Sequence, residues 1–132
     1  MPAAQDTTPV VGLIDPDPVA RNGLRTLLHG MGVDVLTFDS AESFLLSANG
    51  RHLGCLIVDL LLPGMSGLEL LRRLRSAGND VPVILLADES DVPTAVAAMR
   101  EGATDFIEKP YVDVAVVKQV QKLLRAPPSL PA

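Results

Sequence analysis

The sequence is expected to fold as an α/β protein, a (βα)5 doubly wound sheet of five parallel strands, and three observations lead there. Short apolar runs alternate along the chain with segments whose apolar residues recur every three or four positions, the pattern of strands joined by crossover helices. One run, Cys55-Leu56-Ile57-Val58-Asp59, is apolar until it stops at a carboxylate, as a strand covered on both faces does. Two more runs also end in charge, at Asp15 and at Glu108-Lys109. Ligands of such sheets collect at the carboxyl ends of the strands, so two carboxylates and one ammonium are expected to converge there.

The first strand is expected over Val10–Ile14, ending at Asp15. Leu24, Leu27, Leu28 and Met31 then fall at i, i+3, i+4 and i+7 and form one helix face. A second strand, Val33 to Phe38, is followed by Ser40 as a helix N-cap and by Phe44, Leu45 and Leu46 as apolar helix positions. The third strand ends at Asp59, and the breaker cluster Pro63-Gly64-Met65-Ser66-Gly67 precedes a helix in which Leu68, Leu71 and Leu74 share a face. Val83–Leu86 is the fourth strand. Asp91 is placed to cap a helix through Met99, with Val92, Val96 and Met99 inward and Gly102 as the stop. The fifth strand spans Asp105–Glu108, and the last helix carries Val116, Val117, Val120, Leu123 and Leu124 toward the core.

At 132 residues, the chain is long enough to bury one core without disulfide or metal staples. Residues 1–9 have no periodic pattern and are expected to be disordered, while residues 126–132, with three prolines, read as a tail or linker. Cys55, the single cysteine, lies within an expected strand, so a disulfide framework is excluded and a reducing, cytoplasmic setting is favoured. No apolar stretch approaches the roughly 20 residues of a membrane span, and the first residues lack the basic and apolar regions of a signal peptide. A net charge of −5 argues against direct nucleic-acid binding by this segment. Arg72, Arg73 and Arg75 read as a solvated helix face.

Several active-site classes fail on the residues present. Gly12-Leu13-Ile14-Asp15-Pro16 is not a glycine-rich phosphate loop, because Gly12 sits inside the strand. His29 and His52, the two histidines, fall on a helix and in a loop and are expected at the surface rather than in a triad or metal cluster.

Asp15 after the first strand, the segment Asp59-Leu60-Leu61-Leu62-Pro63-Gly64-Met65-Ser66-Gly67 after the third, and Lys109-Pro110 after the fifth resemble the receiver domain of bacterial response regulators. The likeness covers about residues 10–125. Ser40-Ala41-Glu42-Ser43-Phe44-Leu45, Asp91-Val92-Pro93-Thr94-Ala95-Val96 and Ala103-Thr104-Asp105-Phe106-Ile107-Glu108 resemble in particular the nitrogen-fixation regulator group. The resemblance implies a flavodoxin-like receiver fold, a signalling role rather than an enzyme, and Asp59 as acceptor of a phosphoryl group from a histidine kinase or phosphotransfer protein. It implies Mg²⁺ held by Asp15, Asp59 and the Leu61 carbonyl, and Lys109 as the cation that binds the phosphoryl group, with a cis Lys109-Pro110 bond. Mg²⁺ chemistry agrees, since this ion takes one or two carboxylates with waters and phosphate oxygen.

The chain departs from the pattern at two places. Pro16 stands where receivers carry a second acid, so Mg²⁺ binding is expected to be weakened. Asp17, one residue late, is either the N-cap of the helix that Pro18 opens or a replacement metal ligand. Ala87 stands where a Ser or Thr hydroxyl would bond the phosphoryl group, so switching is expected to be weak, and Phe106, at the aromatic switch position, is left between that role and plain packing. By the resemblance, Leu61 and Glu89 occupy positions that influence water attack on the acyl phosphate, and Leu61 counts against an aspartate-nucleophile phosphatase, which carries an acid there. The reading is an atypical receiver that controls a partner or DNA-binding output domain, with a homodimer contact across Val92–Arg125. Its rival is a phosphorylation-independent interaction module.

Overall fold

The computed structural model describes residues 10–47 and 53–125. The elements follow as β1 (Val10–Ile14), α1 (Pro18–His29), β2 (Asp34–Phe38), α2 (Ala41–Ser47), β3 (Cys55–Asp59), α3 (Gly67–Ser76), β4 (Val83–Ala87), α4 (Val92–Arg100), β5 (Asp105–Glu108) and α5 (Asp113–Arg125). All strand pairs are parallel, and the order is β2-β1-β3-β4-β5. Five parallel strands with five helices make the flavodoxin-like doubly wound fold that the sequence leads to. His52 and the flanking segments 1–9 and 126–132 lie outside the described residues.

Strand alternation builds two cores. Val11, Leu13, Cys55, Ile57, Ile84 and Leu86 face one side of the sheet, against Leu24 and Leu28 of α1 and Val116 and Val120 of α5. Ile14, Leu56, Val58, Val83 and Leu85 face the other side, against Phe44, Leu70, Leu71, Leu74, Ala95 and Ala98. Both faces are covered, which is why β3 and β4 are buried along their whole length.

Helix starts follow the expected chemistry in part. Asp17 caps α1, its Oδ1 accepting from Val19 N at 3.0 Å, and Ser40 Oγ accepts from Ser43 N at 3.0 Å before α2. Ser66 caps α3 through Glu69 N. Three expectations need correction. In α2 only Phe44 of the apolar trio is buried, while Leu45 and Leu46 are exposed, because consecutive helical residues point about 100° apart. In α3 Leu70 joins the core, while Leu68 is only partly buried.

The third correction concerns α4. Ala95 and Ala98 face inward, whereas Val96 and Met99 are exposed. Asp91 does not cap the helix. It belongs to a 3-10 turn, Glu89–Asp91, and its φ of −101° and ψ of 1° depart from the extended backbone that lets a cap side chain reach back to the first amides.

Candidate functional site

Register brings the chemistry together. Ile14 is level with Val58, so the next residues, Asp15 and Asp59, emerge side by side at the point where the strand order reverses. Asp59 pairs with Leu86 and Ala87 with Glu108, which places Lys109 just beyond the same edge. Lys109 N donates to the Ala87 carbonyl at 2.8 Å, and the Lys109-Pro110 bond is cis.

Asp15 and Asp59 are 1% and 6% exposed and are the two buried charged residues among those described. Lys109 Nζ lies 2.5 Å from Asp59 Oδ2, and Leu61 N donates to Asp59 Oδ1 at 3.2 Å. Asp15 Oδ1 accepts from Asp17 N at 2.9 Å, and Arg21 Nη1 donates to the Asp15 carbonyl at 2.7 Å. Asp15 Oδ2 is buried with no hydrogen-bond partner. Burial lifts the Asp15 carboxyl above its ordinary pKa, and the Asp59 charge adds to this against the Asp17 amide bond, which lowers it. Burial works against the Lys109 ammonium, yet the hydrogen bond and charge of Asp59, with smaller help from Asp15 and Asp88, raise its pKa.

The loop after β3 is held from both sides. Gly67 N donates to the Leu60 carbonyl at 2.9 Å, and a Cβ at Gly67 would sit 2.7 Å from the Asp59 carbonyl oxygen, so only glycine lets α3 start this close to the acid. Glu42 Oε2 accepts from Met65 N at 2.8 Å, tying α2 to the same loop.

The other sequence candidates are placed as follows. Ala87 is buried, and Phe106 is partly buried, packed on the α3–α4 side of the sheet. Leu61 is 57% exposed at the mouth, and Glu89 is exposed in the 3-10 turn. Asp17 is exposed, with its carboxylate on the α1 amides, and lines an open depression with Ala20, Asp88, Lys109, Pro110 and Tyr111. His29 is exposed at the end of α1, away from these groups.

Two residues escaped the sequence reading. Asp88 faces Lys109 from the end of β4, and Tyr111 is a half-buried phenol whose pKa is raised by burial and by the Asp15 charge. Tyr111 directly follows Lys109-Pro110, and Asp88 directly follows Ala87, so adjacency to an edge residue was the available signal.

No group of three or more His, Cys, Asp or Glu side chains is disposed to hold a metal among the described residues. Two carboxylates do come together, and the unpartnered Asp15 Oδ2 is the acceptor a cation needs, so the donor set fits Mg²⁺ completed by water and phosphate.

A doubly wound sheet with a buried acid pair and a lysine at its switch point defines an α/β protein with a small, acid-rich, cation-ready site at the strand ends. The family model described as the response regulator receiver domain matches residues 11–121, and the chain belongs to that family. It is 37% identical over 113 residues to the transcriptional regulatory protein FixJ of Bradyrhizobium diazoefficiens, covering 86% of this chain and 55% of that protein. It is 41% identical over 114 residues to FixJ of Azorhizobium caulinodans, covering 86% and 54%. The crystal structure of full-length FixJ from B. japonicum superposes with a TM-score of 0.84 at 37% identity, covering 90% of this chain and 59% of that one. The chain spans about half the length of these FixJ relatives, which are transcriptional regulators by name. No described helix is long and apolar enough to cross a membrane.

Proposed function

We propose that this chain is a cytoplasmic receiver in which Asp59 accepts a phosphoryl group from a histidine kinase or phosphotransfer protein and passes the change to a partner or a DNA-binding output domain. The observation that carries the reading is the buried Asp59 with Lys109 Nζ at 2.5 Å and the unpartnered Asp15 Oδ2 beside it. An ionised carboxylate offers about four lone-pair sites, and Lys109 and Leu61 N take two, so Asp59 keeps electron pairs for attack on phosphorus. The new Asp59 O–P bond forms as the P–N bond to the donor imidazole breaks, and the electron pair leaves with the nitrogen.

Asp15, Asp59 and the Leu61 carbonyl would hold Mg²⁺, which when bound neutralises charge building on the phosphoryl oxygens. Lys109 moves its ammonium from Asp59 onto the transferred group. Asp17 Oδ1 holds the α1 cap, which supports the reading that Asp17 does not replace the acid missing at Pro16 and that Mg²⁺ affinity is weak. Ala87 offers no hydroxyl to the phosphoryl group, so switching through Phe106 is weak as well.

Labelling with acetyl phosphate or a phosphorylated kinase tests this. Incorporation in the wild type that is lost in Asp59→Asn supports it, and equal incorporation or none in both overturns it. Ala87 and Pro16 favour the second reading, an interaction module that works without phosphorylation; partner binding unaffected by Asp59→Asn would establish that one.

The contact surface on either reading is Val92–Arg125. Val96 and Met99 stand exposed there, and Arg100, Asp105, Lys118 and Lys122 supply both signs of charge for a second copy or a partner, whereas Glu101 is engaged by Arg72. Self-association should fall with added salt. A monomer by sedimentation at high protein and low salt would remove the homodimer.

A further inference from the structure

The loop over residues 61–66 carries the Leu61 carbonyl, and backbone bonds fix its two ends. Leu60 N donates to the Leu86 carbonyl at 2.8 Å, and Gly67 N to the Leu60 carbonyl at 2.9 Å. Between those ends Pro63 and Gly64 hold the two central positions of a turn over residues 62–65, the placement a type II turn favours, and Gly64 has the φ of +77° that its third position requires. Such a turn often closes by a bond from its fourth amide to its first carbonyl. Here the Met65 amide makes no bond to the Leu62 carbonyl and donates instead to Glu42 Oε2 at 2.8 Å. Among the described residues, Glu42 is the one side chain from another element that bonds the backbone of this loop.

α2 gives Glu42 a fixed platform. Ala41 and Phe44 beside it are buried, the Phe44 ring meets Phe38 edge-on with centroids 5.3 Å apart, and Ser40 caps the helix. The carboxylate lies against Gly64, where a Cβ would come within 2.6 Å of Glu42 Oε2, so the residue that makes the turn also admits the anchor. The Met65 bond does most to hold the Glu42 carboxyl below its ordinary pKa, and the group that takes the amide is therefore a carboxylate near neutral pH. Glu42, Pro63 and Gly64 line one depression with Pro16. With no acid at position 16, the donors left for a cation are two carboxylates and the Leu61 carbonyl, so the placing of that carbonyl counts for more.

On the reading in which Asp15, Asp59 and the Leu61 carbonyl hold Mg²⁺, we propose that Glu42 is a positioning residue of that site: it closes the turn at residues 62–65 from outside and so fixes the direction of the Leu61 carbonyl. Glu42 touches neither the cation nor the phosphoryl group and acts through the loop. The effective feature is its hydrogen bond to Met65 N, not its charge.

Mg²⁺ titration of the unphosphorylated protein, followed by the amide chemical shifts of Asp15, Asp59 and Leu61, tests this in wild type, Glu42→Ala and Glu42→Gln. Glu42→Ala should weaken Mg²⁺ binding by about tenfold, the low end for loss of a group that orients a metal ligand. Glu42→Gln keeps an oxygen that accepts from Met65 N and should stay within about twofold of wild type. Urea unfolding without Mg²⁺ should differ little among the three, because Glu42 is exposed. Equal Mg²⁺ affinity in wild type and Glu42→Ala overturns the proposal even where stability falls. An equal loss in both variants overturns it too, since the effect would then lie in the charge. A wild type whose three amides do not respond to Mg²⁺ overturns the metal reading itself, and the proposal with it.

Discussion

Replacing Ala87 with threonine should divide into two effects of opposite sign. Ala87 is 1% exposed and packs among the side chains of the α3–α4 face. Adding two heavy atoms there should destabilise the unphosphorylated protein by about 1–3 kcal/mol through overpacking, with the hydroxyl adding a further cost wherever it finds no acceptor. Valine has nearly the same shape without the hydroxyl, so Ala87→Val measures the packing effect alone. With a phosphoryl mimic such as beryllofluoride and Mg²⁺ present, threonine gains a hydrogen bond to a charged group, about 1.5–3 kcal/mol. That corresponds to roughly tenfold to hundredfold tighter apparent binding of the mimic relative to the valine variant. It is a sizeable part of the 5.5 kcal/mol or so that inverting a two-state switch from 1:99 to 99:1 requires. Urea unfolding of all three proteins, with and without the mimic, reads both effects. If the threonine and valine variants gain equally from the mimic, position 87 does not face the phosphoryl group and the account of weak switching is wrong.

Pro16→Asp should raise Mg²⁺ affinity by about tenfold, since it returns a carboxylate beside Asp15; equal affinities by titration calorimetry would show that Pro16 is no handicap. Lys109→Met leaves the buried Asp59 without its cation and should cost about 2 kcal/mol, below the 3–5 of fully buried pairs because the lysine side chain is 28% exposed. Because the Lys109 pKa is raised from 10.5, its contribution is complete below 10.5 and disappears as pH rises through the folded value, so wild type and Lys109→Met should converge in stability at strongly alkaline pH. Asp15→Asn removes a buried charge while keeping an acceptor for Asp17 N, and should stabilise the metal-free protein by about 1 kcal/mol at pH 7. The gain should shrink as pH falls through the raised Asp15 pKa toward 3.8, where the wild-type acid is itself neutral, and Mg²⁺ should no longer stabilise the variant. Chemical denaturation across pH, with and without Mg²⁺, checks both variants.

The fold was legible because burial on both faces leaves an unmistakable trace. β3 and β4 are unbroken apolar runs, and no helix of this length reads that way. The meeting of Asp15, Asp59 and Lys109 was legible because Asp15 follows one apolar run, Asp59 ends another and Lys109 follows the short β5, whose apolar pair runs into Glu108, and parallel pairing brings strand ends together. The helices were harder. In α4 the exposed Val96 and Met99 outrank Ala95 and Ala98 in hydrophobicity, and the sequence does not reveal that the helix approaches the core through its small residues. The bonds of Arg72 to Glu101 and of Arg75 to the Gly102 carbonyl were invisible because the partners lie 29 and 27 residues away and one of them is a backbone group. For Asp17 the structure shows the cap role: Pro18 opens the helix, and the carboxylate accepts from Val19 N.

A resting site with two buried acids and one lysine is one cation short. Lys109 settles on Asp59, which leaves Asp15 Oδ2 unpartnered, and burial together with the Asp59 charge raises the Asp15 carboxyl above its ordinary pKa. A third acid at position 16 would deepen that imbalance and strengthen the attraction for Mg²⁺ together, because both come from the same uncompensated charge. Pro16 relaxes both. On the proposed function Ala87 would act on the next step, since a phosphoryl group that finds no hydroxyl has less hold on the turn leading into α4. On this reading the two departures act in series, one on how readily the site fills and one on how far filling is felt. Either reversion alone should therefore restore only its own step, and a full response needs Pro16→Asp and Ala87→Thr together.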